Sequence, residues 1–189
     1  MSDLRDRIAA VLASHGAVAH GITTADAFPE VTRELRAALE SGRSAGLPFT
    51  FSNPDTAGDV TRSFPWARRI VVVAMSYLPA AGSPGPGQAG TARIARFATS
   101  DHYQPLRSAL DAVANVLAAA GHRGAVVLDD HRLVDRAAAV RAGVGWWGKS
   151  TMVLMPGAGP WVLLGSVVTD AELETDPPMR RSCGTCTAC

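Results

Sequence analysis

The sequence predicts an α+β protein, a mixed sheet flanked by helices, with a short cysteine-bearing tail. Three observations carry this. Ile70-Val-Val-Val-Ala-Met-Ser-Tyr77 is a continuous apolar run rich in β-branched residues, the pattern of a strand buried on both faces. Two long stretches, at the N-terminus and from Tyr103 to Ala120, repeat apolar residues at helical spacing. Strand and helix patterns alternate along the chain without a strict βαβ repeat, which favours a mixed sheet over a doubly wound one.

In chain order, Leu4, Ile8, Val11 and Leu12 mark the first helix, and Gly16 stops it. Val18 to Thr23 reads as a short strand and Glu30 to Glu40 as a second helix closed near Gly42. Residues 43–66 read as irregular, with Pro48, Asn53-Pro54 and Pro65 as breakers. The apolar strand at 70–77 is followed by a Pro/Gly-rich loop at 79–90. Asp101 is placed to cap the Tyr103–Ala120 helix, whose apolar face is Leu106, Leu110, Val113 and Leu117. Ala125 to Leu128 is a strand ending at an acidic pair, and Arg132 to Ala142 is a further helix stopped by Gly143. Trp161 to Thr169 is the last strand, with Gly165 a candidate bulge. The turn at 156–160 lets Met152 to Leu154 pair with that strand as a hairpin.

Apolar residues make up 47% of the chain and charged residues 19%, a composition that argues for a folded globular protein and against disorder. A formal net charge of +1 gives no field strong enough to draw the whole molecule onto nucleic acid or a membrane. No apolar run is long enough to span a bilayer. The charged, amphipathic N-terminus is not a secretory signal, so a cytoplasmic location is expected.

Two segments concentrate chemistry. Asp129 to Arg136 directly follows a strand, where open α/β sheets commonly present reactive groups. Partial desolvation of Asp129 would favour its neutral form and suit it to general-acid work. On spacing alone the favoured reading is that Asp129 and Asp130 cap the next helix. Gly143-Val-Gly-Trp-Trp-Gly-Lys-Ser-Thr151 satisfies the spacing of a phosphate-binding loop, but it follows a helix and leads into a strand. A true loop of that kind follows a strand and opens a helix, so the match reads as accidental. Its glycines still allow a ligand close to the backbone, and Lys149 could meet an anionic group. The five histidines show no metal-ligand spacing, and surface exposure is expected for His102. Trp146 and Trp147 read individually as packing residues.

The third concentration is Cys183-Gly-Thr-Cys-Thr-Ala-Cys189, which contains all three cysteines of the chain. Cysteines confined to one end do not make a disulfide framework. CxxCxxC is the opening of the bacterial ferredoxin run C-x2-C-x2-C-x3-C-P, so Cys183, Cys186 and Cys189 are candidate ligands of a 4Fe-4S cluster. The fourth cysteine and proline of that run do not occur in the sequence, so the ligand set is incomplete and a fragment of a longer protein is expected. A zinc site of three thiolates and one histidine is the alternative metal reading.

Together these segments resemble the epoxyqueuosine reductase family, the cobalamin- and iron-sulfur-dependent enzymes of tRNA queuosine synthesis. The resemblance is carried by LDDHRLVDRAAAVRAGVGWWGKSTMVLMPGAGPWVLLGSVVTDAEL at 128–173, followed by CGTCTAC. The family pattern is V-D-x-x-P-V-x-E-R-x-x-A-x-x-A-G-x-G-W-x-G-K-x-T, then G-S-W-x-x-L-G-x-x-x-T-D, then CGxCxxCxxxCP. Asp129, Arg136, Gly143, Gly145, Trp146, Gly148, Lys149, Thr151, Trp161 and Asp170 match it, and Asp135 keeps an acid at its glutamate position. Arg132 stands where the family has proline, and the family's Asp-Tyr-His occurs as Asp101-His102-Tyr103.

The resemblance implies a cobalamin-binding catalytic domain over 1–175 and the start of a truncated ferredoxin-like 4Fe-4S segment at 176–189. It implies low-potential electrons, from a donor such as flavodoxin or ferredoxin, passing through iron-sulfur clusters to cobalamin. An epoxide on a modified tRNA base is then deoxygenated. Asp129 matches the aspartate that protonates the leaving oxygen. The loop with Gly143, Gly145, Trp146, Gly148, Lys149 and Thr151 would lie against cobalamin. A non-catalytic iron-sulfur carrier completed by another chain is the alternative.

Overall fold

A computed structural model describes residues 2–78, 92 and 94–187. The Pro/Gly-rich stretch at 79–90, with Cys189, lies outside the described residues. The chain builds one principal sheet from β1 (Ala19–Thr24), β2 (Arg69–Ser76), β3 (Gly124–Val127) and β6 (Val162–Thr169). The strand order is β1-β2-β6-β3. Every pairing is antiparallel, with β2 and β6 in register from Arg69 opposite Thr169 to Ser76 opposite Val162. The expected class is α+β, as found, but the sheet is not mixed. Burial on both faces makes a strand apolar throughout whichever way its neighbours run, so the run at 70–77 carried no information on direction.

Alternation along β2 divides the core in two. Val71, Val73 and Met75 pack with Ile8 and Leu12 of α1 (Ser2–Ser14) and with Leu106, Leu110, Val113 and Leu117 of α4 (Tyr103–Ala119). Ile70, Val72 and Ala74 pack on the opposite face, against Ala138 and Ala142 at α5 (Asp135–Arg141) and against Phe28, Val60 and Phe64. Each fully buried Val, Leu or Ile contributes about 1.5–3 kcal/mol. Two small elements border the second face: α2 (Pro29–Glu40) and α3 (Pro54–Ala57). The second of these gives order within a stretch that the breakers marked as irregular. Asn53 caps it, accepting the Thr56 N–H at 3.1 Å, and Pro54 occupies the first helical position.

Gly165 is no bulge. It pairs in regular register with Val73. A Cβ there would stand 2.6 Å from Leu110 Cδ1 and 3.0 Å from Leu128 Cδ1, so the glycine lets α4 sit close against the sheet. Nor does 152–154 pair with the last strand. β5 (Val153–Leu154) pairs antiparallel with β4 (Trp146–Trp147), and the turn at 156–160 is closed only by a Met155–Gly159 bridge. The edge strand β1 is covered by the segment after β6. The Asp176 N–H donates to the Ile22 carbonyl at 2.8 Å, and the Ile22 N–H donates to Asp176 Oδ2 at 2.9 Å. Among the described residues no helix is long and apolar enough to cross a membrane.

Candidate functional site

The site forms where β3 ends. Asp129 takes a left-handed backbone, φ 49°, which aspartate tolerates better than most residues. Its side chain is exposed rather than desolvated. Asp130 turns back on the chain: its carboxylate accepts the Arg132 N–H at 2.9 Å and bonds the Arg132 guanidinium, which holds its pKa below the usual carboxylate range. This turn delays the helix expected from Arg132, so that α5 begins at Asp135. Neither acid caps it, because the N-cap residue is Val134 and no side chain accepts the first amides.

A cavity of about 250 Å³ opens beside this turn, lined among others by Asp129, Asp135, Arg136, Tyr103 and Met152. Asp135 Oδ1 is buried and has no hydrogen-bond partner. Burial, reinforced by the negative charges of Asp129 and Asp130 and opposed by Arg136, pushes its pKa up to about 8. The carboxyl driven neutral by its surroundings is therefore that of Asp135. The Tyr103 hydroxyl is pushed up as well, by burial first and then by Asp129 and Asp135.

Arg136 also borders a second cavity, of about 780 Å³, whose walls include Leu47, Phe49, Phe51, Trp147 and Thr151. Thr151, a β-branched residue, sits at φ 65°, a conformation costing on the order of 1–3 kcal/mol. The Arg136 guanidinium donates to the Thr151 carbonyl at 3.0 Å. One arginine thus joins an acidic cavity to an apolar one.

The glycines of 143–148 serve the chain's own packing. A Cβ on Gly143 would meet the Pro177 carbonyl oxygen at 2.4 Å, and one on Gly145 the Leu154 carbonyl oxygen at 2.5 Å. At Gly148 the Leu154 side chain lies 3.0 Å away. The segment follows α5 and enters β4, so the phosphate-loop spacing is accidental. Trp146 is half-buried with Nε1 unpartnered, and the Arg181 guanidinium lies 5.7 Å from its ring centre. The exposed Lys149 donates to the Cys186 carbonyl at 2.8 Å. The glycine loop and the cysteine tail, separated in sequence, therefore adjoin.

Cys183 is half-buried and Cys186 exposed, in a turn closed by the Cys186 N–H donating to the Cys183 carbonyl at 2.9 Å. Two thiols on one turn suit an iron-sulfur cluster, and Cys189 lies outside the described residues. Among those residues no group of three or more His, Cys, Asp or Glu is gathered to hold a metal. His102 is half-buried against Tyr77, with ring centres 5.7 Å apart, rather than exposed.

Sequence spacing missed Asp135, Tyr103, Arg136 and Trp147 as lining residues. Asp135 and Arg136 stood in the matched family pattern, but an acid in a first helical turn reads as ordinary dipole compensation until its burial is known.

Residues 58–130 match the family described as "Epoxyqueuosine reductase QueG, DUF1730". The chain is 34% identical over 173 residues to the epoxyqueuosine reductase of Gloeobacter violaceus, covering 89% of this chain and 53% of that one. Against the Bacillus subtilis enzyme it is 33% identical over 177 residues, covering 89% and 45%. The structure of epoxyqueuosine reductase from Streptococcus thermophilus superposes with a TM-score of 0.85 at 27% identity, over 96% of this chain and 50% of that one. An epoxyqueuosine reductase solved with an epoxyqueuosine-modified tRNA stem loop gives 0.82 at 27% identity, over 98% and 50%. A reductive dehalogenase at 20% identity shares the fold, with a TM-score of 0.51 over 93% and 21%. The chain spans about half the length of the curated relatives it matches.

Proposed function

The chain belongs to the epoxyqueuosine reductase family over about half the length of its relatives, and we propose that it is the catalytic portion of an oxidoreductase that removes the oxygen of an epoxide on a modified tRNA base. The observation that carries this reading is Asp129, exposed at the end of β3 and lining a cavity shared with a second carboxyl. Asp129 donates the proton that the leaving oxygen requires. Residues 1–175 act as the catalytic domain and 176–189 begin the ferredoxin-like segment.

Cobalamin, when bound, supplies strongly reducing cobalt. Trp147, Phe49 and Phe51 give it an apolar wall, with Arg136 and Thr151 as polar contacts. Gly143, Gly145, Trp146, Gly148 and Lys149 lie on the loop that borders this wall. Cys183, Cys186 and Cys189 would supply three of the ligands of an iron-sulfur cluster, and the Lys149 contact with Cys186 keeps that turn against the loop. The partners are a tRNA, as in the relative solved with a stem loop, and an electron donor such as flavodoxin or ferredoxin. Work on tRNA carries with it a cytoplasmic location.

The test is single-turnover reduction of an epoxyqueuosine-bearing stem loop by the cobalamin-loaded protein with a low-potential chemical reductant. Asp129→Asn should slow the reaction while leaving the visible spectrum of bound cobalamin unchanged. Normal turnover by that variant removes the assignment.

A further inference from the structure

The proposed reaction has a proton requirement that one carboxylic acid does not meet. Loss of an epoxide oxygen as water, leaving a carbon–carbon double bond, breaks two C–O bonds and forms two O–H bonds. It consumes two electrons and two protons. A reductant of the reduced-cobalamin class supplies the electrons. Asp129 faces the substrate, and the same 250 Å³ cavity contains one other carboxyl, Asp135, that can supply it with protons.

Resting on the reductase reading, we propose that Asp135 is the proton store of this cavity and feeds its proton through Asp129 to the departing oxygen. In sequence, Asp135 passes its proton to the Asp129 carboxylate, which gives it to the epoxide oxygen as the first C–O bond breaks. Solvent reprotonates Asp135, and the same relay delivers the second proton as the second C–O bond breaks and water leaves. A further solvent proton restores Asp135.

Three features of the site support this role. Asp135 Oδ1 is buried and unpartnered, so its proton is not committed to a structural hydrogen bond. The cavity is roomy enough for a bridging water, which needs polar partners such as the two carboxyls and the Tyr103 hydroxyl. The charges around Asp135 favour retention of its proton. Asp129 and Asp130 of the preceding turn raise its pKa, and Arg136 of its own helix opposes them. Tyr103 comes from α4, while β5 and β6 bring only Val153, Val162, Leu163 and Leu164. An exposed acid facing substrate and a second acid with a buried oxygen in the same cavity divide delivery from storage.

The direct test is a carbon-13 NMR titration of the aspartate carboxyls in the 189-residue chain, which needs neither cofactor nor substrate. The expected result is one carboxyl titrating at about 8, absent in Asp135→Asn. In Asp129→Asn the same resonance moves to lower pH, because a neighbouring negative charge is gone. If every aspartate titrates in the ordinary range near 4, or Asp129→Asn leaves the resonance in place, the proposal is overturned. Should Asp135→Asn fail to fold, the Asp129→Asn titration still decides.

A second arm reads single-turnover rate against pH. The wild-type rate should decline above pH 8; Asp135→Asn should slow the reaction roughly 10²-fold and lose that decline, and Asp135→Glu should restore part of the rate. A purely structural Asp135 predicts a wild-type rate and profile for Asp135→Asn, and that result overturns the proposal. An inactive wild-type protein refutes the reductase reading instead, and the titration then decides alone whether the two carboxyls are coupled.

Discussion

Helices α4 and α5 begin in opposite ways. At α4 the Asp101 carboxylate accepts the N–H groups of Tyr103 at 3.0 Å and Gln104 at 3.1 Å, satisfying orphan donors in the ordinary manner. At α5 the residue before the helix is Val134, no side chain caps it, and the half-buried first-turn acid has a buried, unpartnered oxygen. Two aspartates at helix starts thus do different things. One stabilises its helix, and the other lies beside a cavity in a form that costs stability at neutral pH. Departures from local rules concentrate at functional sites, and α5 carries them together with the left-handed Asp129 that precedes it.

The largest expected effect separates chemistry from stability. Asp129→Asn should lower single-turnover rate by roughly 10²–10⁴ without lowering the melting temperature, since Asp129 is exposed and caps nothing. Loss of both together would return Asp129 to a structural role. Next is Asp135. Its folded-state pKa, about 8, lies above the unfolded value of 3.8, so the native state keeps a proton that the unfolded chain releases. Its contribution is full below pH 4, is lost as pH rises toward 8, and is level beyond. In chemical denaturation across this window the wild type should lose on the order of a few kcal/mol more than Asp135→Asn. Parallel profiles would contradict the burial of an acidic proton.

Smaller effects belong to the ends of the two helices. Gly143 closes α5 at φ 68° with Pro177 packed against it, so Gly143→Ala should cost about 1–2 kcal/mol and loosen the 176–177 segment from β1. Faster amide exchange at Ile22 would report that loosening. Asp101→Ala should cost about 1 kcal/mol through lost capping, uniformly above pH 5, whereas Asp101→Asn should be nearly neutral. A pH-dependent loss like that of Asp135 would abolish the contrast between the two helix starts.

Much of this architecture was legible from periodicity. The helix at Tyr103, its Asp101 cap, the stop at Gly16 and the strand near 70–77 follow from apolar spacing and local turn chemistry. Strand direction was not legible, because the apolar run at 70–77 reports burial on both faces and nothing about its neighbours. Gly165 was misread for a related reason: glycine in a strand suits a bulge or a close approach, and only the position of Leu110 distinguishes them. The helix expected at Arg132 starts later because an Asp130–Arg132 turn, invisible to periodicity, holds the chain first.

By itself the sequence determined which residue types could do chemistry and where the chain would turn, since these depend on side-chain identity and neighbours a few positions away. It presented Asp129 after a strand, a glycine-rich segment and a cysteine tail. The tertiary structure decided which of these meet. It set Lys149 against Cys186, joined an acidic cavity to an apolar one through Arg136, and left Asp129 in solvent while burying one carboxyl oxygen of Asp135. A carboxyl's proton affinity depends on the charges and the solvent around it: the charges come from Asp129, Asp130 and Arg136 of the same segment, but the walls that shield Asp135 from water come from α4, β5 and β6, which local periodicity does not place against α5.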